Sequence, residues 1–525
     1  MVKKAFSLVV TISLILPLLI AISVGHAQYP WPMFHHDPEH TGYTSSPGPT
    51  RNQTLWIYDT EHDIFGPCPA VVDGILYISG GFGPSLFAVN ATTGEQLWNY
   101  TRFTWISSSP AVAYGMVYFG GFDTNVTALD AATGALVWNY TTGFFLAASS
   151  PAVLDGVVYI GGGYGNGFFA LNATTGAKLW SYLTGGEVHS SPAVADGMVY
   201  VGSFDDKVYA FNATTGAKVW DYLTEGDIFS SPAVADGVVY IGSNDNNLYA
   251  LNATTGAQIW NYTTGYSVAS SPAVADSVVF VGSYDGNVYA LNATTGTKIW
   301  NYATLGAISS SPAVAGGVVY IGSGDNNTYA LNAQTGAKIW SYHTEGDVFP
   351  SPAVADGVVY VSSRDGKIYA IVGSLQTFDV VWELQTYSVT VLSNSSLSDF
   401  EFSQPSMQIS FNVTGPKTMS SFCNVTIPKS LLRGDWTVEI DGSDIVPIID
   451  SNATHTFLYF TYTHTSTHRV TIAGSWVIPE FPTVLFASLL LIATLLATFL
   501  GKRHWSKKPK CLIVGECKKT FRPPV

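Results

Sequence analysis

The stretch SSPAVADGVVYIGSNDNNLYALNATTGAQIW, residues 230–260, holds one copy of a sentence that the chain writes eight times. Pro232-Ala233-Val234-Ala235 is a short apolar run, and Asp236-Gly237 after it is a strong two-residue hairpin signal. Val238-Val239-Tyr240-Ile241 is β-branched and aromatic and reads as a second strand. Asn244-Asp245-Asn246-Asn247 is turn chemistry, Leu248-Tyr249-Ala250-Leu251 a third strand, and Thr254-Thr255-Gly256 a second tight turn. Gln258-Ile259-Trp260-Asn261-Tyr262 makes a fourth strand. Four antiparallel strands joined by tight turns form one blade of a propeller, and no part of the repeat carries a helical period.

Trp56, Trp98, Trp138, Trp180, Trp220, Trp260, Trp300 and Trp340 mark the copies, spaced close to forty residues. A period of that length belongs to propellers and solenoids. The last copy supplies strands near 352–355, 358–362 and 367–371 without a fourth of its own, whereas the first opens on an orphan strand, Leu55-Trp56-Ile57-Tyr58. Pairing the two removes both exposed sheet edges. The expected fold is therefore all-β: an eight-bladed β-propeller of four-stranded antiparallel blades over residues 28–375, closed by the N-terminal strand. Val380-Val381-Trp382-Glu383-Leu384 is the rival closing strand, set too far from Ala370 to match the other copies.

The ends suggest a membrane. Lys3-Lys4, an apolar run and Gly25-His26-Ala27 read as a signal peptide over 1–27. A second apolar run predicts a transmembrane helix over 483–501, and the basic tail 502–525 after it places the propeller outside. Between them, residues 376–478 carry segments of alternating polarity such as Met407–Val413 and Phe457–Tyr462, the pattern of a small β-sandwich stalk. Only 11% of residues are charged and the net charge is −14, which argues against nucleic acid as a partner. Cys68 and Cys423 lie outside the membrane in different domains and leave one bridge between them open; Cys511 and Cys517 have no metal or redox spacing. Asn90, Asn172, Asn212, Asn252 and Asn292 recur as sequons at one turn of the blade, with Asn99, Asn139 and Asn261 one strand on; they are candidate N-glycosylation sites that equally make good turns.

The repeated Ala-x-Thr-Gly-x-x-x-Trp element, as in Ala213 to Trp220, resembles the tryptophan-docking repeat of quinoprotein dehydrogenases, which also occurs in the non-enzymatic propeller lipoprotein of the β-barrel assembly machinery. The resemblance covers residues 29–373, and Trp31 to Gly42 looks like the leader that precedes such propellers in secreted prokaryotic proteins. Pro479-Glu480-Phe481-Pro482 resembles the sorting tails of archaeal surface proteins. For the enzymes the resemblance implies pyrroloquinoline quinone (PQQ) and calcium on the propeller axis, with a carboxylate cage, an Asp base and, in many members, adjacent cysteines. This chain has no adjacent cysteines and no long insertions, so no catalytic residue, cofactor or metal site is assigned. Asp205, Asp245, Asp285, Asp325 and Asp365 repeat blade by blade, which points to a turn requirement. His35, His36, Asp37 and His40 are dense enough for a metal, but a packed leader explains them better.

The variable loops before each Ser-Pro-Ala-Val are the candidate ligand-binding face. Glu61 and Asp63, Glu187 and His189, Glu225 and Asp227, and Glu345 and Asp347 place acids at blades one, four, five and eight, so two acidic patches would face each other across the ring with Trp105, Phe144 and Tyr266 between them. The expected function is a non-enzymatic, membrane-anchored surface propeller that binds or scaffolds an envelope protein, peptide or glycan. The alternatives are a PQQ-dependent dehydrogenase and a structural component of the surface layer.

Overall fold

The structure is a computed structural model that describes residues 29–477 apart from 147, 383–384 and 416–419. The signal peptide, the apolar run at 483–501 and the basic tail read from the sequence lie outside the described residues, none of which forms a helix long and apolar enough to cross a membrane.

Blade five follows its sequence. Strands Ala233–Ala235, Val238–Gly242, Asn247–Asn252 and Gln258–Thr263 hydrogen-bond in that order, from the axis outwards. The first hairpin turns through Asp236 and Gly237, both at positive φ (50° and 73°), as the two-residue loop demands. Eight sheets repeat this arrangement. The orphan strand closes the ring as expected: Gln53–Asp59 pairs antiparallel with Lys367–Val372, Trp56 opposite Ala370. The rival segment lies instead in Ser374–Trp382, an edge strand of the second domain.

Blades are locked by the tryptophan that marks each copy. Trp220 Nε1 donates to the Ala253 carbonyl of the next blade at 2.9 Å, and its ring covers Gly256, where a Cβ would come within 2.7 Å. That close approach is why the turn ends in glycine. Trp340 has no such turn ahead of it, and Pro49 of the N-terminal segment supplies the carbonyl instead, taking bonds from Trp340 Nε1 and Tyr320 Oη, both at 3.0 Å.

A second lock circles the axis. The backbone N–H of Ser109 donates to Ser150 Oγ, and the relay continues through Ser191, Ser231, Ser271 and Ser311 to Ser351 at 2.9–3.0 Å per step. Cys68 closes it: its N–H donates to Ser109 Oγ, and its Sγ accepts from the Ser351 N–H at 3.2 Å. Burial raises the Cys68 thiol above its ordinary pKa, so it stays protonated. Cys423 is buried in the other domain beside Ser393 and Tyr462, and both cysteines are free, so the bridge left open by the sequence is not formed. Cys68→Ser is expected to leave the thermal midpoint nearly unchanged, because a hydroxyl continues the ring. Cys68→Val strands the buried Ser351 N–H and should cost about 1–3 kcal/mol by denaturant titration.

The leader seals one end of the channel. Trp31 exchanges both backbone bonds with Val71, and the carbonyls of Pro32, Pro38, Glu39, Thr41 and Gly42 accept from Val112, Val194, Val234, Val274 and Val314, the middle residues of five further inner strands. His35 and His40 are fully buried in this plug, with Phe34 stacked on His35 and edge-on to His40. Desolvation holds both imidazoles neutral, at pKa values of about 4 and about 3.

Residues 374–477 form two five-stranded sheets around a common core that includes Val389, Val391, Phe411, Val425, Leu458 and Ile472. One end of this sandwich packs on blade eight at the hairpin end of the propeller. Phe422 covers Gly357, Asn394 Nδ2 donates to the Gly48 carbonyl at 3.1 Å, and Thr50 Oγ1 donates to the Asn394 carbonyl at 2.6 Å. Strand His468–Val477 then runs from that end to the far end of the sandwich, where Val477 pairs with Leu432.

Candidate functional site

The open mouth of the channel lies opposite the leader and the sandwich. Two segments of each blade build it: the loop entering the inner strand, and the turn between the second and third strands. They are stitched together, for example by the N–H of Phe204 to the Glu187 carbonyl, Asn244 to Asp227 and Arg364 to Asp347. The repeated turn aspartates serve that stitching. Asp245 accepts the Tyr249 hydroxyl (2.7 Å), the Glu225 N–H (3.0 Å) and the Asn247 N–H (2.9 Å), and Asp285, Asp325 and Asp365 accept equivalent sets. These carboxylates are turn formers with their acceptor capacity in use.

Blade two departs from the pattern. Thr127 stands where blades four to eight carry the tyrosine and blades one and three carry Phe87 and Phe169, and Arg102 fills the space: its guanidinium bonds Asp123 (2.7 Å) and Thr127 and lies 4.5 Å over the Phe119 ring. The loop tip beside it turns Phe103 wholly into solvent.

Around this mouth runs a belt of aromatic rings in mutual contact. It passes from Phe349 to Phe65 (centroids 5.8 Å), Phe82 (5.8 Å), Trp105 (5.2 Å), Phe122 (5.7 Å), Tyr164 (5.8 Å), His189 (5.0 Å), Phe204 (4.4 Å) and Phe229 (4.3 Å). The rings come from blades eight, one, two, three, four and five. Phe65 is 44% exposed, Trp105 48% and Phe229 43%, so the belt is solvated on one side and packed on the other. Exposed aromatic area this continuous marks an interaction surface.

The residues expected from the sequence divide around this belt. Trp105 and His189 belong to it, and Glu187 pairs with His189 Nε2 at 2.8 Å. Phe144 does not: its ring packs down on Phe169 and over Gly165. Tyr266 stands half-exposed on the entry loop of blade six, beyond the end of the belt. The picture of two opposed acidic patches needs correcting at blades eight and one. Arg364 bridges Asp63 (3.0 Å) and Asp347 (3.5 Å) while lying over Phe65, and Lys367 Nζ binds Glu345 at 2.5 Å, so that sector is partly compensated. Glu61 is exposed beside it, its N–H bonded to Asp59. The sector at blades four and five keeps its charge: Glu225 and Asp227 are exposed, and partial burial followed by the fields of Asp227, Asp205 and Asp245 raises the Asp206 carboxyl. The mouth is therefore lopsided, its acids partly compensated on one side and left without cations on the other. Sequence reasoning missed Phe65, Phe82, Phe122, Tyr164, Phe204, Phe229, Phe349 and Arg364; for Phe82, Phe122, Tyr164 and Phe204 the signal was the residue after Gly-Ser or Gly-Gly in the turn, which reads as loop filler in one copy and as a ring only when the copies are aligned.

Among the described residues no three His, Cys, Asp or Glu side chains are grouped to hold a metal, and His35 and His40 are packed in the leader. The residues present do not match the carboxylate cage that a quinone-bound calcium requires, and no step is derived through such a group. Five of the eight candidate sequons stand at the hairpin end of the blades and three on outermost strands. Asn172, Asn212, Asn252 and Asn292 each cap their turn through Oδ1 at the hairpin end, as does the buried Asn90, while Asn99, Asn139 and Asn261 are exposed on outermost strands.

Comparison with known proteins agrees with this architecture. A repeat family described as outer membrane protein assembly factor BamB matches residues 48–167, 123–229, 226–307 and 285–404. Among solved structures, BamB from Moraxella catarrhalis aligns with a TM-score of 0.53 at 23% identity, over 61% of this chain and 98% of its own. The quinohemoprotein alcohol dehydrogenase from Comamonas testosteroni aligns at 0.57 and 18% identity, over 67% and 83%. The computationally designed Ika8 protein aligns at 0.55 and 18%, over 61% and 99%. No curated protein matches. An assembly factor, an enzyme and a design share one fold, so these likenesses establish architecture and leave the chemistry to the mouth. With four overlapping matches running from residue 48 to residue 404, the chain belongs to the propeller-repeat family described as outer membrane protein assembly factor BamB.

Proposed function

We propose that this protein is a membrane-anchored surface scaffold whose open mouth binds a polypeptide partner. The aromatic belt carries the reading. Nine rings in contact offer a large, rigid apolar surface that loses little side-chain entropy on binding, the composition of an interface hot spot. The anionic sector at Glu225, Asp227 and Asp206 adds direction, favouring a segment with apolar side chains beside basic ones. The belt is made mostly of phenylalanines packed edge to face, with few hydrogen-bond donors, which favours a polypeptide over a glycan. The structural relative that is an assembly factor supports the scaffold reading at the level of fold.

The test is partner capture on the envelope of the source cells, with a photo-crosslinking residue at Phe229. One specific polypeptide should be trapped. In a Phe65→Ser/Trp105→Ser variant, affinity for that polypeptide should fall by about 700-fold, since each of the two buried aromatic anchors is worth about 2 kcal/mol. Unchanged capture by the variant would remove the belt from the function.

A further inference from the structure

We infer that the far end of the sandwich is a membrane-contacting surface that dips into the boundary between lipid headgroups and acyl chains. The inference rests on the reading that the apolar run near the C-terminus is a bilayer anchor. Its starting point is direction. Ser374, Ser393–Ser396, Ser420–Phe422 and Thr463–His468 cluster at the end that packs on the propeller, and the strands lead away from it. The opposite end carries the turns after Pro428 and Ser451, and the last described strand finishes there at Val477. Val477 stands only seven residues before Val484, where the apolar run begins. Seven residues reach at most about 24 Å even when fully extended, so an anchored chain holds this end against the bilayer surface.

What that end exposes fits the location. Val381 is 73% exposed at the far end of its strand, and Ile449, about half exposed on the edge strand Ile448–Ser451, stands two residues from the turn after Ser451. Ile449 lines a groove with Trp436, Lys429 and Arg433, the last on the strand whose backbone pairs with the end of His468–Val477. Branched aliphatics with a tryptophan and two long basic side chains are what the interfacial zone accepts: the tryptophan sits at headgroup depth, and the lysine and arginine stems lie along apolar surface while their charges reach water or phosphate. Asp435, Asp444 and Asp450 lie close in sequence to these residues and offset the basic charge. The contact is therefore apolar, and it depends little on anionic lipid. A second copy pairing along the edge strand is the competing occupant.

The test uses the full chain with Cys511 and Cys517 changed to Ser, reconstituted in phosphatidylcholine nanodiscs. Single cysteines replace Val381, Ile449 or, as a control, Leu97 on an outermost propeller strand, and each carries a fluorophore. Lipids bearing a shallow nitroxide should quench the labels at 381 and 449 by about twofold or more and leave that at 97 unchanged, as expected for side chains within about 5–10 Å of the headgroup boundary. Chain that co-elutes with the discs but shows unquenched labels at 381 and 449 overturns the contact alone. Self-quenching between copies in discs holding two chains, without lipid quenching, assigns the edge to a second copy and also overturns it. Chain that does not co-elute with discs overturns the anchor reading and the contact with it.

Discussion

A chain carrying Trp56→Ala is expected to lose about 3–5 kcal/mol of stability, and with it the closed ring. Trp56 is 9% exposed, packs on Tyr360, and donates through Nε1 to the Ala91 carbonyl. A buried tryptophan truncated to alanine costs that much through lost burial and the cavity left behind. The same change at Trp220 removes an equivalent contact, 2.9 Å from Nε1 to Ala253. The two should nevertheless differ in outcome. Trp220 lies on a strand covalently continuous with its own blade, so that blade stays tethered while it loosens. Trp56 lies on the only strand that crosses from the first copy to the last, and Gln53–Asp59 holds blade eight solely by its ladder with Lys367–Val372 and its packing. Once that ladder opens, two sheet edges are exposed, and edges pair with other chains. Denaturant titration should therefore show similar losses for the two variants. Light scattering at the midpoint should show association for Trp56→Ala alone. A Trp56→Ala protein that unfolds reversibly as a monomer would mean that the leader, through its bonds to six inner strands, closes the ring without the strand.

The division between what the sequence reveals and what it hides follows the repeat. Hairpins such as Asp236-Gly237, the glycine under each tryptophan and the swapped closing strand are local or periodic, and eight copies average away the noise in any one. The aromatic belt falls on periodic positions, one shared by Phe82, Phe122, Tyr164 and Phe204 and one by Phe65, His189, Phe229 and Phe349, but not every copy fills them with a ring. Phe82, Trp105, Phe122 and Tyr164 touch in sequence order around the ring but lie 17 to 42 residues apart, at positions that in blades five and seven hold Asn244 and Gly324. Arg364 illustrates the same limit for charge: a single arginine in a turn gives no hint that it will span carboxylates from blades one and eight. The leader is the extreme case. It has no repeat at all, yet its carbonyls find an equivalent valine in six blades, because the channel presents the same unpaired N–H at every step and a buried N–H must be satisfied. The metal-like spacing of His35, His36, Asp37 and His40 dissolves in this light: two of the three imidazole rings are buried as packing.

That packing makes the protein sensitive to mild acid. His35 and His40 are buried neutral with pKa values of about 4 and about 3, desolvation being the main cause, and the field of His35 adds to the cost of charging His40 as that of His36 does for His35. In the unfolded chain both would titrate near 6.5. Between 6.5 and the folded values the unfolded state binds more protons, so stability rises with pH and is lost as pH falls. Each histidine contributes about 1.4 kcal/mol per pH unit across that window, or about 3 kcal/mol apiece by pH 4. Asp37, whose carboxylate is held low by His36 and Thr41, weakens the leader only at lower pH, below the ordinary carboxylate range, so the two effects separate. His189 and His464 are also shifted down and share the histidine window. The discriminating measurement is therefore a difference between proteins. The denaturant midpoint of the parent should fall steeply from pH 7 to pH 4, and that of a His35→Gln/His40→Phe variant should fall with a shallower slope while starting lower at pH 7, where repacking costs stability. Equal slopes would show that the charge of the leader is accommodated in the folded channel, by water entering from the open mouth.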